Sequence, residues 1–140
     1  MGEIRKVAVL GGGLMGSGIA EVAAKGGYDT TVREVSTELA EKARGRIEKS
    51  LGRAVDKGKL EGSARDETLG RISYVTELPD LADADLIIEA VTEDLELKKE
   101  IFGKLDKLCP PDTVFASNTS SLTIVDMAAA TERPDRMVGL

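Results

Sequence analysis

The sequence contains no histidine, and this absence narrows the chemistry that the chain can perform by itself. A Ser-His-Asp triad, a Cys-His pair and a histidine-ligated metal site are all excluded within its 140 residues. The single cysteine, Cys109, excludes an intramolecular disulfide and a cysteine-based zinc cluster. We therefore predict no metal site, and we expect the free thiol to belong to a reducing, cytoplasmic setting.

Aromatic residues and long apolar runs are also scarce. Aromatic side chains make up 3% of the sequence, tryptophan is absent and the formal net charge is -6, a composition that argues against nucleic-acid binding. No apolar run approaches the roughly 20 residues of a membrane span. The strand-like residues 7–10 follow the first methionine too closely to leave room for a targeting peptide. We expect neither a nucleic acid nor a membrane as partner.

What the sequence does contain is a regular alternation of apolar strands and amphipathic helices. With 41% hydrophobic and 31% charged residues, the chain is long enough for one globular domain. The predicted strands are 4–10, 30–32, 72–75, 85–91, 113–116 and 137–140, and the predicted helices are 14–25, 36–57, 95–108 and 122–129. Gly58 and Gly62 are expected to break the chain. The pattern predicts an α/β fold, a Rossmann-type doubly wound parallel sheet with a long helical arm after the second strand.

A glycine-rich turn between the first strand and the first helix matches the G-x-G-x-x-G pattern of dinucleotide-binding proteins. Its residues are Gly11, Gly12, Gly13, Leu14, Met15 and Gly16. We expect Gly11 to permit the tight turn, Gly13 to let the backbone approach a diphosphate, and Gly16 to let helix and strand pack closely. A glycine-rich turn with a structural role only is the competing interpretation. A P-loop is excluded, because no Gly-Lys-Ser/Thr follows.

An acidic residue follows the second predicted strand. Glu34 lies 18 positions after Gly16, where dinucleotide-binding folds carry a carboxylate for the adenosine ribose hydroxyls. A carboxylate would repel a 2′-phosphate, so the position favours NAD over NADP, although the adjacent Arg33 would soften that preference. An ordinary solvated surface acid is the alternative.

The long helix has a basic excess in an otherwise acidic chain. Residues 36–60 include seven basic and four acidic side chains. Arg46, Lys49, Arg53 and Lys57 recur at spacings of three and four residues and so lie on roughly one face. This face is suited to a phosphorylated substrate. The alternative is an ordinary solvated helix face.

Three strings together resemble a known family. VAVLGGGLMGSGIA, ADLIIEAVTEDLELKKEIFGKLD and FASNTSSLTI are similar to segments of the 3-hydroxyacyl-CoA dehydrogenases, in particular the bacterial 3-hydroxybutyryl-CoA dehydrogenases, and the similarity runs from about Arg5 to Leu140. The resemblance implies NAD as cofactor, bound by the glycine turn, by Glu34, and by a Glu and a Lys five residues apart, here Glu93 and Lys98. A charged pair at a solvated helix start is the alternative for these last two residues.

The resemblance also assigns residues near the substrate. Ser120 contacts cofactor and substrate and Asn118 helps to position them, so both are expected at the catalytic centre, whereas a cap for the next helix is the alternative role of Ser120. The family uses a Ser and a Lys seven residues apart to contact CoA, here Ser50 and Lys57. We add Arg53, which lies between them on the same face. The sequence suggests no role for Glu89, and we interpret Cys109 as a spectator.

The C-terminal end departs from the family pattern. Family members carry the catalytic His in an H-F-F-N-P string directly after residues that resemble 137–140, and a helical second domain forms their dimer. We therefore expect residues 1–140 to be an NAD-binding domain without the helical dimerisation domain, inactive alone, from a homodimeric parent that oxidises (3S)-3-hydroxyacyl-CoA to 3-oxoacyl-CoA in fatty acid or butanoate metabolism. An NAD-dependent dehydrogenase of another hydroxy acid and a non-catalytic dinucleotide-binding protein remain alternatives.

Overall fold

The structure, a computed structural model, describes residues 3–90, 94–117 and 131–139. Its strands are β1 (Lys6–Leu10), β2 (Asp29–Arg33), β3 (Ile72–Val75), β4 (Leu86–Glu89), β5 (Val114–Ser117) and β6 (Met137–Gly139). Its α-helices within these ranges are α1 (Leu14–Lys25), α2 (Thr37–Asp56), α3 (Gly62–Gly70) and α4 (Leu95–Leu108). Short 3₁₀ helices span Leu78–Leu81 and Pro134–Arg136. None of the described helices is both long and apolar enough to cross a membrane.

The six strands form one parallel sheet in the order β3-β2-β1-β4-β5-β6. One apolar cluster includes Val9 and Val32 of the sheet with Ala20 of α1 and Ile47 of α2. A second cluster joins other sheet residues to α4, where Phe102 packs against Phe115 with ring centroids 5.2 Å apart. The predicted doubly wound sheet is therefore confirmed.

Helix α2 is the predicted long helix after the second strand, and at 20 residues it is about 30 Å long. The Ser36 hydroxyl caps it by accepting from the backbone N–H of Leu39 at 3.2 Å. Gly58, with φ +70°, lies in the turn that follows. The expected break at Gly62 was wrong, because Gly62 is the first residue of α3. Propensity misled the prediction here: helix interiors disfavour glycine, but a terminal position tolerates it.

The remaining element boundaries shift by a few residues. Strand β4 begins after Asp85, whose carboxylate instead accepts the backbone N–H groups of Arg5 and Lys6 at 2.9 and 3.0 Å. These hydrogen bonds hold the pKa of the Asp85 carboxyl below its usual value. Val91, the predicted helix 122–129 and Leu140 lie outside the described residues.

The register of the sheet aligns the last residues of all six strands. Leu10 pairs with Arg33 on one side and with Glu89 on the other, and Glu89 pairs with Ser117. The carboxyl edge therefore consists of Val75, Arg33, Leu10, Glu89, Ser117 and Gly139. Strand order reverses between β1 and β4, and open parallel sheets bind ligands at such a point.

Candidate functional site

The glycine turn begins immediately after β1 at this switch point. Gly11 has a φ of +98°, which side-chain-bearing residues rarely adopt, and its N–H donates to the Arg33 carbonyl at 3.0 Å. This geometry confirms the tight turn expected at Gly11. Gly16 is buried, and a Cβ there would lie 1.8 Å from the Gly11 carbonyl oxygen but 3.6 Å from Val9 of β1. Glycine at position 16 is therefore needed mainly for the close contact between α1 and the glycine turn. The contact between α1 and β1, which the sequence predicted, is less tight.

Gly12 connects the turn to α2. A Cβ at Gly12 would lie 2.4 Å from the Cβ of Ala43, so only glycine permits this contact. The Gly12 carbonyl accepts from the Ser17 hydroxyl and from the Arg46 guanidinium, each at 2.7 Å. Arg46 is one of the basic residues that the sequence placed on one face of the long helix. Its hydrogen bond to Gly12 therefore ties α2 to the glycine turn.

The ligand-facing part of the turn is open. A Cβ at Gly13 would meet nothing within 4 Å, and Leu14 is 88% exposed. Gly13 is the N-cap of α1, where it offers no side chain to the first N–H groups, and the first turn of α1 has no acidic residue. A helix N-terminus of this kind attracts anions through its N–H groups and its dipole. The turn therefore fits the diphosphate of a dinucleotide.

Glu34 lies beside the turn at the end of β2. Its backbone N–H donates to the Val75 carbonyl at 3.0 Å, and a Cβ at Gly12 would be 3.4 Å from its Cγ. The side chain is partly buried. The neighbouring Arg33 donates through Nε to the Thr76 carbonyl at 3.0 Å. The Glu34 side chain thus lies beside the glycine turn.

The other half of the edge contains a buried ion pair that the sequence did not predict. The Glu89 carboxylate, 1% exposed, lies 3.0 Å from the Lys98 ammonium, 3% exposed, which comes from the second turn of α4. The Ser117 hydroxyl donates to the same carboxylate oxygen at 2.5 Å. A glutamate in an apolar strand with a lysine early in the next helix was the available signal, because a buried carboxylate needs a partner. The sequence assigned Lys98 to the cofactor but not to Glu89.

The predicted CoA-binding residues share one face of α2 and the turn after it. Ser50, Arg53 and Lys57 are exposed. Arg46 and Ser50 also line a cavity of about 110 Å³ between α1 and α2, close to the glycine turn. The same helix face therefore extends from the turn that would hold a diphosphate to the proposed CoA contacts.

Some predicted site residues lie outside the described ranges. These are Glu93, Asn118 and Ser120. Within the described ranges, histidine, cysteine and acidic side chains form no group of three suited to a metal ion.

Cys109 is buried at the end of α4. Burial raises the pKa of its thiol to about 11, and its Sγ lies 3.6 Å from the Leu81 carbonyl oxygen. The thiol is therefore protonated at neutral pH and is a poor nucleophile. This environment supports the interpretation of Cys109 as a spectator.

Comparison with known proteins gives consistent similarities. Residues 6–140 match the family model described as "3-hydroxyacyl-CoA dehydrogenase, NAD binding domain". A 3-hydroxybutyryl-CoA dehydrogenase from Mycobacterium tuberculosis is 51% identical over 98% of this chain and 48% of its own length. A 3-hydroxyadipyl-CoA dehydrogenase from Escherichia coli is 43% identical over 99% of this chain and 29% of its own length.

The solved structures agree. The crystal structure of M. tuberculosis FadB2 superposes with a TM-score of 0.95 at 50% identity, covering 99% of this chain and 49% of that one. The chain thus spans about half the length of the first of these relatives and of this structure.

Proposed function

Because the chain belongs to the 3-hydroxyacyl-CoA dehydrogenase family through its NAD-binding domain, we propose that it forms the cofactor half of an enzyme that oxidises (3S)-3-hydroxyacyl-CoA to 3-oxoacyl-CoA. NAD is the cofactor of this domain, and when bound it accepts the hydride from C3 of the substrate. The observation that carries the proposal is the glycine turn at the switch point, with an open face at Gly13 and Glu34 beside it.

The proposed cofactor contacts divide along the edge. The residues of the glycine turn, Gly11, Gly12, Gly13, Leu14, Met15 and Gly16, surround the diphosphate, and the Glu34 carboxylate accepts from the adenosine ribose. Lys98 faces the other half of the cofactor, and by family resemblance so do Glu93 and Ser120. Asn118 and Ser120 orient the substrate beside the nicotinamide, since their polar groups can donate and accept hydrogen bonds without a full charge.

The proposed acyl-CoA contacts lie along α2. Ser50, Arg53 and Lys57 are exposed on one face, where two cations can meet the phosphates of CoA. This face lies in the region of the chain that has a basic excess. Relatives named for hydroxybutyryl-CoA and hydroxyadipyl-CoA both match the chain well, so the proposal extends to the CoA thioester class and not to one acyl chain.

The general base belongs to another part of the proposed enzyme. This chain has no histidine, so its residues bind and orient, while the histidine that family members carry directly after residues resembling 137–140 takes the hydroxyl proton. We assign the dimer contact to the helical second domain of the family. The 140-residue chain alone should then give negligible turnover. A cytoplasmic setting is part of the proposal and rests on the single, buried thiol.

The test uses an enzyme in which this domain is continued by the histidine-bearing H-F-F-N-P string and the helical second domain of the family. We expect NADH formation at 340 nm with (3S)-3-hydroxybutyryl-CoA and little with free 3-hydroxybutyrate. Lys57→Glu should raise the KM for the thioester by about tenfold, because it replaces an attraction to phosphate by a repulsion. The KM for NAD should change little.

Lys59→Glu is the matched control, since it makes the same charge change two residues away and should leave the thioester KM nearly unaltered. Equal rates with thioester and free acid would contradict the CoA assignment. An unaltered KM in Lys57→Glu would remove Lys57 from the site.

A further inference from the structure

A compact charged cluster joins three elements at the carboxyl edge. The Glu89 carboxylate at the end of β4 lies 3.0 Å from the Lys98 ammonium of α4 and accepts from the Ser117 hydroxyl at the end of β5. All three side chains are at least nine-tenths buried. Because its charges are held together away from water, the ion pair is neutral as a unit and each partner compensates the other.

The cluster lies on the nicotinamide side of the proposed site. Glu89 pairs in register with Leu10, the residue that precedes the glycine turn. The turn and Glu34 lie on the β1–β2 side of the switch point, so the second nucleotide of a dinucleotide extends toward β4 and β5. Oxidised and reduced NAD differ in charge at that end, because the nicotinamide ring is cationic in NAD⁺ and neutral in NADH.

We propose that Glu89 is a positioning residue that sets the balance between NAD⁺ and NADH binding by neutralising Lys98 beneath the nicotinamide half of the site. The inference rests on the proposed placement of NAD along the edge. An uncompensated ammonium would disfavour the cationic ring of NAD⁺ but not the neutral ring of NADH. Glu89 removes this penalty while the ammonium stays in place 3.0 Å from the carboxylate.

The experiment measures the dissociation constants of NAD⁺ and NADH by isothermal titration for the 140-residue chain and its variants. Glu89→Gln keeps the shape of the side chain and leaves Lys98 uncompensated, so NAD⁺ should weaken about tenfold more than NADH. Lys98→Gln removes the positive charge and keeps the carboxylate, so it should shift the ratio in the opposite direction. The double variant Glu89→Gln/Lys98→Gln should return the ratio close to that of the wild type.

The opposite signs distinguish this role from structural damage, because damage would weaken both forms of the cofactor together. If Glu89→Gln fails to fold, Lys98→Gln tests the proposal by itself.

The outcomes separate two failures. A wild-type chain that binds neither NAD⁺ nor NADH contradicts the proposed function. A wild-type chain that binds both, with variants whose NAD⁺ to NADH ratio stays within about twofold of the wild type, overturns the role of Glu89 and leaves the proposed function intact. Shifts of the same sign in both single variants would also overturn it.

Discussion

The two halves of the carboxyl edge present different surfaces to a ligand. On the β1–β2 side the turn has little side-chain bulk: Gly12 and Gly16 leave no room for a Cβ, and Gly13 is open to solvent. On the β4–β5 side a buried ion pair and a buried hydroxyl fill the space. The first half can offer backbone N–H groups to an anion, whereas the second holds opposite charges and a hydroxyl together below the surface.

The two halves should therefore be sensitive to different kinds of substitution. An added side chain should disrupt the glycine half, because the backbone there packs closely and is itself the proposed contact with the diphosphate. Removal of one charge disrupts the other half, since a buried charge without its partner is costly.

The largest effect is expected for Gly16→Ala. The new Cβ would overlap the Gly11 carbonyl oxygen at 1.8 Å, so α1 must move away from the turn and its first N–H groups lose their alignment. We expect NADH affinity to fall at least about 100-fold and the free energy of unfolding to fall by about 3 kcal/mol, as measured by titration and by urea denaturation.

Gly18→Ala is the control in the same helix. A Cβ at Gly18 would meet nothing within 4 Å, so this variant should bind NADH normally and gain about 0.5–1 kcal/mol of stability from helix propensity. Equal NADH affinity in the two variants would show that the turn is not the contact.

A smaller effect is expected for Glu34→Ala. Loss of an acceptor for the ribose hydroxyls should weaken NADH binding by about 10- to 100-fold, because hydrogen bonds to a charged group are among the stronger ones. NADPH binding should change much less, since its 2′-phosphate gains from removal of a carboxylate. Glu38→Ala removes the same charge from an 82% exposed side chain and should alter neither affinity. Equal losses for both cofactors in Glu34→Ala would rule out the ribose contact.

The sequence predicted the glycine half much better than the charged half. The motif works through local backbone geometry, so its residues and their spacing already specify the turn. The ion pair depends on which strand and helix come together in space. Glu89 and Lys98 are nine positions apart and Ser117 is 28 positions from Glu89, so the contact becomes evident only once β4, β5 and α4 are assembled.

Arg133, which contacts the C-terminal end of α4, is a second residue whose contacts the sequence does not reveal. Its guanidinium donates to the Asp106 carboxylate at 2.6 Å and stacks 4.6 Å from the centre of the Phe115 ring. It also donates to four carbonyl oxygens at the end of α4 and in the turn that follows, those of Asp106, Cys109, Pro110 and Thr113. In the sequence this arginine stands among polar residues typical of a surface loop, so nothing local indicated its burial.

In the proposed complex, NAD binds along the carboxyl edge with its diphosphate at the glycine turn. Backbone amide chemical shifts of the isotopically labelled chain, followed by NMR during an NADH titration, test it most directly. We predict the largest shifts at residues 11–16, followed by Glu34 and Glu89, with little change in α3 at 62–70. NADH binding that moves α3 and leaves the glycine turn unchanged would contradict it.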